Sequence, residues 1–259
     1  MSKKKKHFST VAMHAASKKS VKPRTKKTTR TYKNKPTKGG LVTLSVPGDC
    51  PVPDVYNCQF HYGERLSLTA SVSNNYSAEF IYAGNSVYDP DVSAGGNQPY
   101  FYDQLVAPSS GNTGLYKKYL VRASKIELEF SVSSNNTVPV YVWLLPISSN
   151  NGSLPVAPPD LDEYPRNQRL MLSTAAGGAS TKTLTGYLPT YIHENISYRD
   201  WVVNNYDYEG SYFSSPIKMP YWYIVVKPAD GASTVIVYMK VRMTYWTELS
   251  ERNQELALS

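Results

Sequence analysis

The residues best suited to chemistry are the basic side chains of the first forty positions. Residues 1–40 hold twelve Lys and two Arg with no acidic residue, and the first acid of the chain is Asp49. Each cation can neutralise a phosphate, and such binding is independent of base sequence and weakens steeply with salt. Because Lys outnumbers Arg, the pattern favours point charges over bidentate reading of base edges. The predicted nucleic-acid-binding residues are Lys3, Lys4, Lys5, Lys6, Lys18, Lys19, Lys22, Arg24, Lys26, Lys27, Arg30, Lys33, Lys35 and Lys38.

The composition of this segment predicts a disordered arm that ends at Gly39-Gly40. Residues 1–40 are rich in Lys, Thr and Ser and poor in large apolar side chains, so burial cannot offset the entropy of ordering them. A solvated tail without a ligand is the alternative, but so many like charges without an acid would repel one another. The runs Lys3–Lys6 and Lys18–Lys27 also match a nuclear localisation signal, which adds a nuclear import receptor as a second partner.

The remainder of the chain differs from the arm in charge and in apolar content. The arm takes half of the 28 Lys and Arg residues, so residues 41–259 hold 14 basic and 20 acidic residues, a net charge of −6. A chain of 259 residues that is 41% hydrophobic suffices for one core. No apolar run approaches the roughly 20 residues that a membrane helix needs, and no apolar core follows the charged amino terminus as in a signal peptide. We expect a soluble domain over residues 41–250 and a short tail at 251–259, with no membrane insertion.

Metal chemistry receives little support from the sequence. Cys50 and Cys58 are the two cysteines, which excludes a disulfide framework and makes a reducing compartment the default. Their spacing is not that of a zinc knuckle, and no second pair exists that could join His61 as zinc ligands. The acids within 160–163 or within 89–91 could hold a calcium ion, but solvated loop acids are the simpler interpretation. We predict no metal and no cofactor.

Catalysis also lacks its usual residues. His7 and His14 lie in the arm, which leaves His61 and His193 as the ordered imidazoles, and we interpret both as ordinary surface or core residues. The sequence has no G-x-S-x-G, H-E-x-x-H or phosphate-binding glycine loop. The 4 Trp and 22 Tyr could stack on bases, but half or more should fill the core and subunit contacts. We predict that the protein is not an enzyme.

One segment carries an order of residues that is similar to a known pattern. From position 85 to position 126 the spacing of Asn, Asp-Pro-Asp, Gly, Gln-Pro and two Tyr resembles the segment shared by capsid proteins of circular Rep-encoding single-stranded DNA viruses, the circovirus-like and related groups. The chain departs from that pattern at Asn97, where His is common, and at Lys117, where Asn is common, so no role of that His carries over. The resemblance implies structural roles for Asn85, Asp89, Pro90, Asp91, Gly96, Gln98, Pro99, Asp103, Tyr116 and Tyr119.

The same resemblance implies a fold and a function. Related capsid proteins form a jelly roll of eight strands, and copies assemble into a small icosahedral shell around the genome. The partners expected on this basis are further copies of the chain and a single-stranded DNA genome, and the expected location is the virion, with the host nucleus during assembly. A host-cell receptor is not identified by any residue of the sequence.

Residue alternation predicts strands without any reference to relatives. Ile126, Leu128 and Phe130 alternate with polar residues, as do the apolar residues of 234–247, which is the period of a strand with one buried face. We expect almost no helix, apart from a helical turn in the polar stretch 248–259. The predicted strands are 41–46, 66–72, 80–82, 125–132, 138–145, 221–226 and 234–247, with weaker candidates at 169–173, 183–187 and 196–203.

The connection of these strands is the point on which local reasoning and the resemblance disagree. Short turns would pair 125–132 with 138–145, and 221–226 with 234–247, as hairpins, whereas a jelly roll sends such neighbours to opposite sheets. Following the resemblance, we predict an all-β protein: a single eight-stranded antiparallel jelly roll with a disordered basic arm. It would package circular single-stranded DNA. The alternatives are a coat protein of a small RNA virus, or a cellular β-sandwich that binds nucleic acid or carbohydrate.

Overall fold

The computed structural model describes residues 53–71, 77–93, 98–106, 114–150, 158–173 and 181–252. Its strands are β1 (Tyr56–Ala70), β2 (Ala78–Ala83), β3 (Tyr116–Val132), β4 (Val140–Ile147), β5 (Gln168–Leu172), β6 (Thr181–Pro189), β7 (Glu209–Ser211), β8 (Tyr221–Pro228) and β9 (Val235–Arg252). Its helices are α1 (Tyr102–Leu105), α2 (Pro158–Glu163), α3 (Thr190–His193), α4 (Tyr198–Val203) and a 3₁₀ turn at Asn205–Tyr208.

The strands form two antiparallel sheets with the strand order of a jelly roll. One sheet has the order β1-β9-β3-β6, with the short β7 beside β3, and the other has the order β2-β8-β4-β5. Strand β3 and its successor β4 lie in opposite sheets, and so do β8 and β9. The two hairpins that short turns would favour are therefore absent from the described residues, and the predicted jelly roll is confirmed.

The core lies between the two sheets. Strand β3 pairs with β9 from Tyr116 to Val132, with a bulge between Val121 and Ala123, and alternate side chains of both strands point to the facing sheet. Burying one such side chain contributes about 1.5–3 kcal/mol relative to exposure. The facing strands β4 and β8 pair in register through their own length. The largest apolar cluster includes Phe60, Leu68, Ile126, Leu128, Phe130, Val142, Leu144, Ile224, Val226, Val237, Val241 and Met243.

The outer face of the second sheet is covered. Trp143, Tyr223 and Val225 point away from the main core and form a second cluster with Leu161 of α2, which is completely buried. The Trp143 indole nitrogen donates to Asp162 Oδ1 at 2.8 Å, which fastens α2 against β4. Strand β4 is therefore apolar on both faces, as its sequence indicates, because it is buried on both sides.

Most predicted strands are present, and several are longer than predicted. The alternation predicted from 66 belongs to β1, which already begins at Tyr56 and ends at Ala70. Strand β9 continues to Arg252, so residues 248–252 of the stretch expected to hold a helical turn are strand. The strand predicted at 196–203 is wrong: Ser197 accepts a hydrogen bond from the Asp200 amide at 3.1 Å and caps α4, and Trp201 is the buried residue of that helix. The predicted strand at 41–46 and the Gly39-Gly40 boundary lie outside the described residues.

A glycine in β6 allows one tryptophan to fill the space between the sheets. A Cβ on Gly186 would lie 2.5 Å from the Trp222 ring atom Cζ3, and the Trp222 indole nitrogen is already fixed by donating to Ser124 Oγ at 3.1 Å. Alanine normally stabilises a strand relative to glycine, because glycine loses more entropy on folding. At position 186 the steric conflict should reverse that sign.

We therefore predict that Gly186→Ala lowers the free energy of unfolding by about 1–3 kcal/mol, the usual cost of overpacking a core. Urea denaturation followed by tryptophan fluorescence measures the change. Thr185→Ala, at the neighbouring exposed position of β6, is the control and should stay within about 0.5 kcal/mol of the parent. A Gly186→Ala variant that is as stable as the parent would contradict this packing.

Candidate assembly and nucleic-acid surfaces

The residues of the capsid-like motif surround the end of β2. The chain after β2 turns through Asp89-Pro90-Asp91 and folds back, so that the Ala83 amide donates to Pro90 O at 2.8 Å and the Val92 amide donates to Ile81 O at 3.1 Å. Asp91 is buried and accepts a hydrogen bond from the Ser93 amide at 2.9 Å. The turn therefore occupies hydrogen-bonding groups of β2, an edge strand that would otherwise be open to pairing.

A second group of motif residues holds the segment that follows β7. Asn85 is fully buried and donates from Nδ2 to Lys218 O at 2.9 Å. Ser86 Oγ lies 2.9 Å from Ser215 Oγ and 3.3 Å from the Tyr119 hydroxyl, which also donates to Ser214 O at 3.3 Å. These contacts tie residues 214–218 to the start of β3. The motif residues thus serve to position a surface loop.

The remaining motif positions extend the same arrangement. Tyr102 of α1 is buried, and its hydroxyl donates to the main-chain oxygens of Ser211 and Tyr212 at 3.2 and 3.1 Å. Pro99 O accepts a hydrogen bond from the Tyr102 amide at 2.9 Å, and the Tyr116 hydroxyl donates to Pro53 O at 2.9 Å. Gln98 directly precedes this turn and Asp103 lies in the first turn of α1, whereas Gly96 lies outside the described residues.

The chain between β6 and β8, which includes this loop, exposes several large apolar side chains. Helix α4 buries Trp201 against Leu120 and Tyr208, yet it leaves Val203 68% exposed. Further along, Phe213 and Ile217 are 66% and 80% exposed. Apolar side chains that are exposed in one region of the chain are candidates for contact with a partner. We call this group the apolar segment; its members are Tyr198, Val202, Val203, Tyr206, Phe213 and Ile217.

The outer side of the sheet β1-β9-β3-β6 has a different character, and we call it the open face. Its side chains are the polar half of the alternation in each strand, and cross-strand register places them in rows. One row joins His61, Thr244, Lys125 and Tyr187; the next joins Gly63, Arg242, Glu127 and Thr185; the third joins Arg65, Lys240, Glu129 and Thr183; the fourth joins Ser67, Tyr238, Ser131 and Thr181.

Charge on the open face is opposite in sign to that of the domain as a whole. The four rows contain four cations and two acids, against the net −6 of residues 41–259. Lys125 Nζ lies 2.7 Å from Glu127 Oε1 and lowers the pKa of that carboxyl by hydrogen bonding, and Lys240 Nζ lies 3.5 Å from Glu129 Oε2. Arg65 forms no ion pair with any residue that the structure describes.

Two shallow grooves cross the open face. One of about 240 Å³ lies between β6, β3 and β9, and the other of about 430 Å³ lies between β1, β9 and β3. Lys240 and Glu129 line both grooves, which therefore meet at the third row. The alternation of polar residues in β9 predicts this outer face from the sequence. That Lys240 of β9 lies opposite Arg65 of β1 is known only from the strand register.

The side chains weighed above as possible metal ligands have other surroundings where the structure describes them. Cys58 lies half-buried in β1, where burial raises the pKa of its thiol to about 11, so the thiol stays protonated at neutral pH. His61 Nδ1 lies 3.2 Å from Thr244 Oγ1 on the open face. Asp162 is engaged by Trp143 and by Arg169 Nη1 at 2.5 Å. Within the described ranges no group of three His, Cys, Asp or Glu side chains converges as a metal site, and no helix is long and apolar enough to cross a membrane.

The nucleic-acid-binding residues predicted in the arm lie outside the described residues, as does Cys50. Of the four tryptophans, Trp143, Trp201 and Trp222 are buried and Trp246 is half-buried on the open face. Three of the four tryptophans therefore lie in the core, whereas the expectation for the 4 Trp and 22 Tyr together includes subunit contacts and stays a prediction. What the sequence reasoning missed is the cluster of Arg65, Lys240 and Arg242.

A buried histidine lies beside the motif. His193 is 3% exposed, its Nε2 lies 2.8 Å from Tyr221 O, its ring packs on Trp222, and no described residue accepts from or donates to its Nδ1. Burial lowers the pKa of the imidazole to about 4, so His193 is neutral at physiological pH. The adjacent Glu194 accepts hydrogen bonds from the Ser149 amide and hydroxyl at 3.1 and 2.7 Å, and burial raises its pKa.

Comparisons with known proteins give matches among solved structures. No family model matches the sequence, and no curated protein matches it. A Desmodium yellow mottle tymovirus structure shares 11% identity at a TM-score of 0.42 and covers 84% of this chain and 97% of that chain. Cocksfoot mottle virus gives 11% identity, a TM-score of 0.43 and coverage of 77% and 97%. A decameric BFDV capsid protein gives 8% identity, a TM-score of 0.36 and coverage of 76% and 99%. At these TM-scores the fold assignment rests on the strand order of the chain itself.

His193 should make stability depend on pH. The unfolded chain takes up a proton as pH falls through 6.5, whereas the folded chain does so only near pH 4. As pH falls from 6.5 to 4, protonation of the unfolded chain therefore lowers the free energy of unfolding. The loss is about 3 kcal/mol, at roughly 1.4 kcal/mol per pKa unit. The raised pKa values of Glu64 and Glu194 act in the opposite direction, because folded acids with raised pKa values gain stability as pH falls.

The variant His193→Gln separates these effects, since a glutamine amide can still donate to Tyr221 O but does not titrate. We expect the free energy of unfolding of the parent, relative to that of the variant, to fall by about 3 kcal/mol between pH 7 and pH 4. Denaturant unfolding of both proteins over this range measures it. Equal pH slopes for parent and variant would show that His193 is not a buried neutral imidazole.

Proposed function

We propose that this chain is a viral capsid protein that forms a small closed shell and packages single-stranded DNA. In this proposal the jelly roll is the shell unit, residues 1–40 bind the genome, and the role of the protein is structural rather than enzymatic. The observation that carries the proposal is the joining, in one chain, of a jelly roll to a segment of fourteen cations without an acid. Enclosing a polyanion in a small volume is prohibitive unless cations are enclosed with it.

The exposed apolar segment supports self-association. Apolar side chains such as Phe213 and Ile217 lie in water in the isolated chain, although the motif residues hold their loop in a defined position. A fixed, exposed apolar surface is suited to contacts between identical copies, which build closed shells when each contact is repeated by symmetry. The single-stranded DNA cargo is favoured over RNA by the capsid-like motif from Asn85 to Ile126 alone.

Electron microscopy of the purified full chain, with nuclease typing of the nucleic acid that copurifies, tests the function. Uniform closed particles that contain single-stranded DNA are the expected result. Particles filled with RNA would show that the cargo is RNA rather than DNA, and the capsid role would stand. A protein that stays monomeric at every ionic strength would overturn the capsid role and favour a cellular β-sandwich.

We predict that deletion of residues 2–38 leaves the jelly roll folded and abolishes packaging, because all fourteen cations of the arm are removed with them. Circular dichroism checks folding, and the ratio of absorbance at 260 and 280 nm checks the nucleic acid in particles. Two full-length variants sharpen the test: changing the twelve arm lysines to Gln should reduce packaging, and changing them to Arg should preserve it, since charge is what matters. Full packaging without the arm would contradict the assignment.

The basic runs at Lys3–Lys6 and Lys18–Lys27 also suit a nuclear import receptor. We predict that a fluorescent fusion of the full chain accumulates in the nucleus, and that changing the lysines of both runs to Gln keeps it in the cytoplasm. Equal nuclear fluorescence for the two fusions would exclude this role. The measurement is the nuclear to cytoplasmic ratio in transfected cells.

A further inference from the structure

We propose that the open face of the sheet β1-β9-β3-β6 is a second binding surface for single-stranded nucleic acid, separate from the basic arm. This inference rests on the proposed function, because it concerns how the shell unit meets the packaged strand. The open face differs from the arm in its residues, which belong to the folded domain and are positioned by strand register. It also differs in its chemistry, which includes exposed aromatic rings as well as cations.

The first support is charge complementarity. Arg65 and Lys240 lie directly opposite each other in register, and Arg242 lies diagonally across from Arg65. Directly opposed and diagonal residues in a sheet are within about 8 Å of each other, so the three cations form one cluster. Lys125 and Lys240 neutralise Glu127 and Glu129, so the two arginines supply the excess positive charge. Guanidinium groups match the geometry of phosphate oxygens, which makes a phosphodiester backbone a suitable ligand.

The second support is the placement of the aromatic rings. Tyr238 is half exposed at one end of the cationic cluster, and Tyr187 is half exposed at the other end. The Tyr187 ring is in edge-to-face contact with the Trp246 ring, and the two ring centroids are 5.4 Å apart. Tyr238 and Trp246 are eight residues apart in β9, which corresponds to about 26 Å along a strand. Bases stack on such rings when they are unpaired, whatever their sequence. Cations between two aromatic sites therefore suit a single strand.

The shape of the face agrees with a flexible polar ligand. Gly63 lies opposite Arg242 in register and carries no side chain. Six of the sixteen positions in the four rows are Ser or Thr, and two grooves meet at Lys240. A surface so polar differs from the apolar segment and from the apolar centres of protein interfaces. A shell with this face bound to its cargo has the face turned to the interior.

Ultraviolet cross-linking of assembled particles, followed by mass spectrometry of the cross-linked peptides, tests the inference without any variant. Cross-links at Tyr238, and at Tyr187 or Trp246, are expected in addition to those in the arm. Cross-links confined to residues 1–52 would overturn the inference while leaving the capsid function intact. Empty particles or unassembled protein would instead contradict the proposed function. Failure of this inference can therefore be told apart from failure of the proposed function.

Binding of an oligothymidylate to the full chain gives a quantitative test. The double variant Arg65→Ala with Arg242→Ala should reduce the slope of log K against log salt by about 1.4, the effect of losing two phosphate contacts to a single strand. Lys117→Ala, which removes an exposed lysine of β3 outside the open face, should reduce the slope by no more than half of that change. An unchanged slope in the double variant would contradict the inference.

The stacking role has its own matched pair. Tyr238→Ala should weaken oligothymidylate binding at least about fivefold, because a stacked base is lost. Tyr238→Phe retains the ring and should bind as the parent does. Equal affinity for Tyr238→Ala and the parent, with both variants folded by circular dichroism, would show that Tyr238 does not contact the bases.

Discussion

The pairing of β3 with β9 is the constraint on which the rest of the structure depends. These are the two longest strands, and their ladder runs from Tyr116 to Val132 of β3 at the centre of one sheet. Because side chains alternate across a strand, this single register decides which residues enter the core and which face outward. A slip of one residue would bury Arg242 and Glu127 and expose Val241 and Leu128. Core and open face are therefore two consequences of one alignment.

The two sheets divide the surface of the domain into regions of different chemistry. The outer side of the second sheet is closed by α2, where Leu161 and the Trp143–Asp162 hydrogen bond complete an apolar cluster. The outer side of the first sheet is polar and carries the cationic cluster. Between β6 and β8 the chain exposes the apolar segment, and the contacts of the buried Asn85 and Ser86 hold the part of this chain at residues 214–218. Under the proposed function the three regions have different tasks: structural closure, contact with cargo, and contact with other copies.

Several of these features can be predicted from the sequence, and the exceptions have physical causes. Alternation in β3 and β9 is a local signal, so both strands are predictable. Helix α4 is mistaken for a strand because its residues are β-branched and aromatic, although Ser197 followed by Asp200 is a capping pattern that indicates a helix start. The jelly-roll order depends on contacts between residues far apart in the chain. The same holds for the cluster of Arg65 with Lys240 and Arg242, which no local pattern could reveal.

A particle reconstruction at side-chain resolution tests the central claim, the division between a cargo-facing polar sheet and apolar contacts between copies. The account predicts closed shells in which the open face of β1-β9-β3-β6 lines the interior, with density for nucleic acid against Tyr238 and Arg242, and in which the apolar segment is buried between neighbouring copies. Shells with that face on the exterior, or with the apolar segment exposed to solvent, would contradict it.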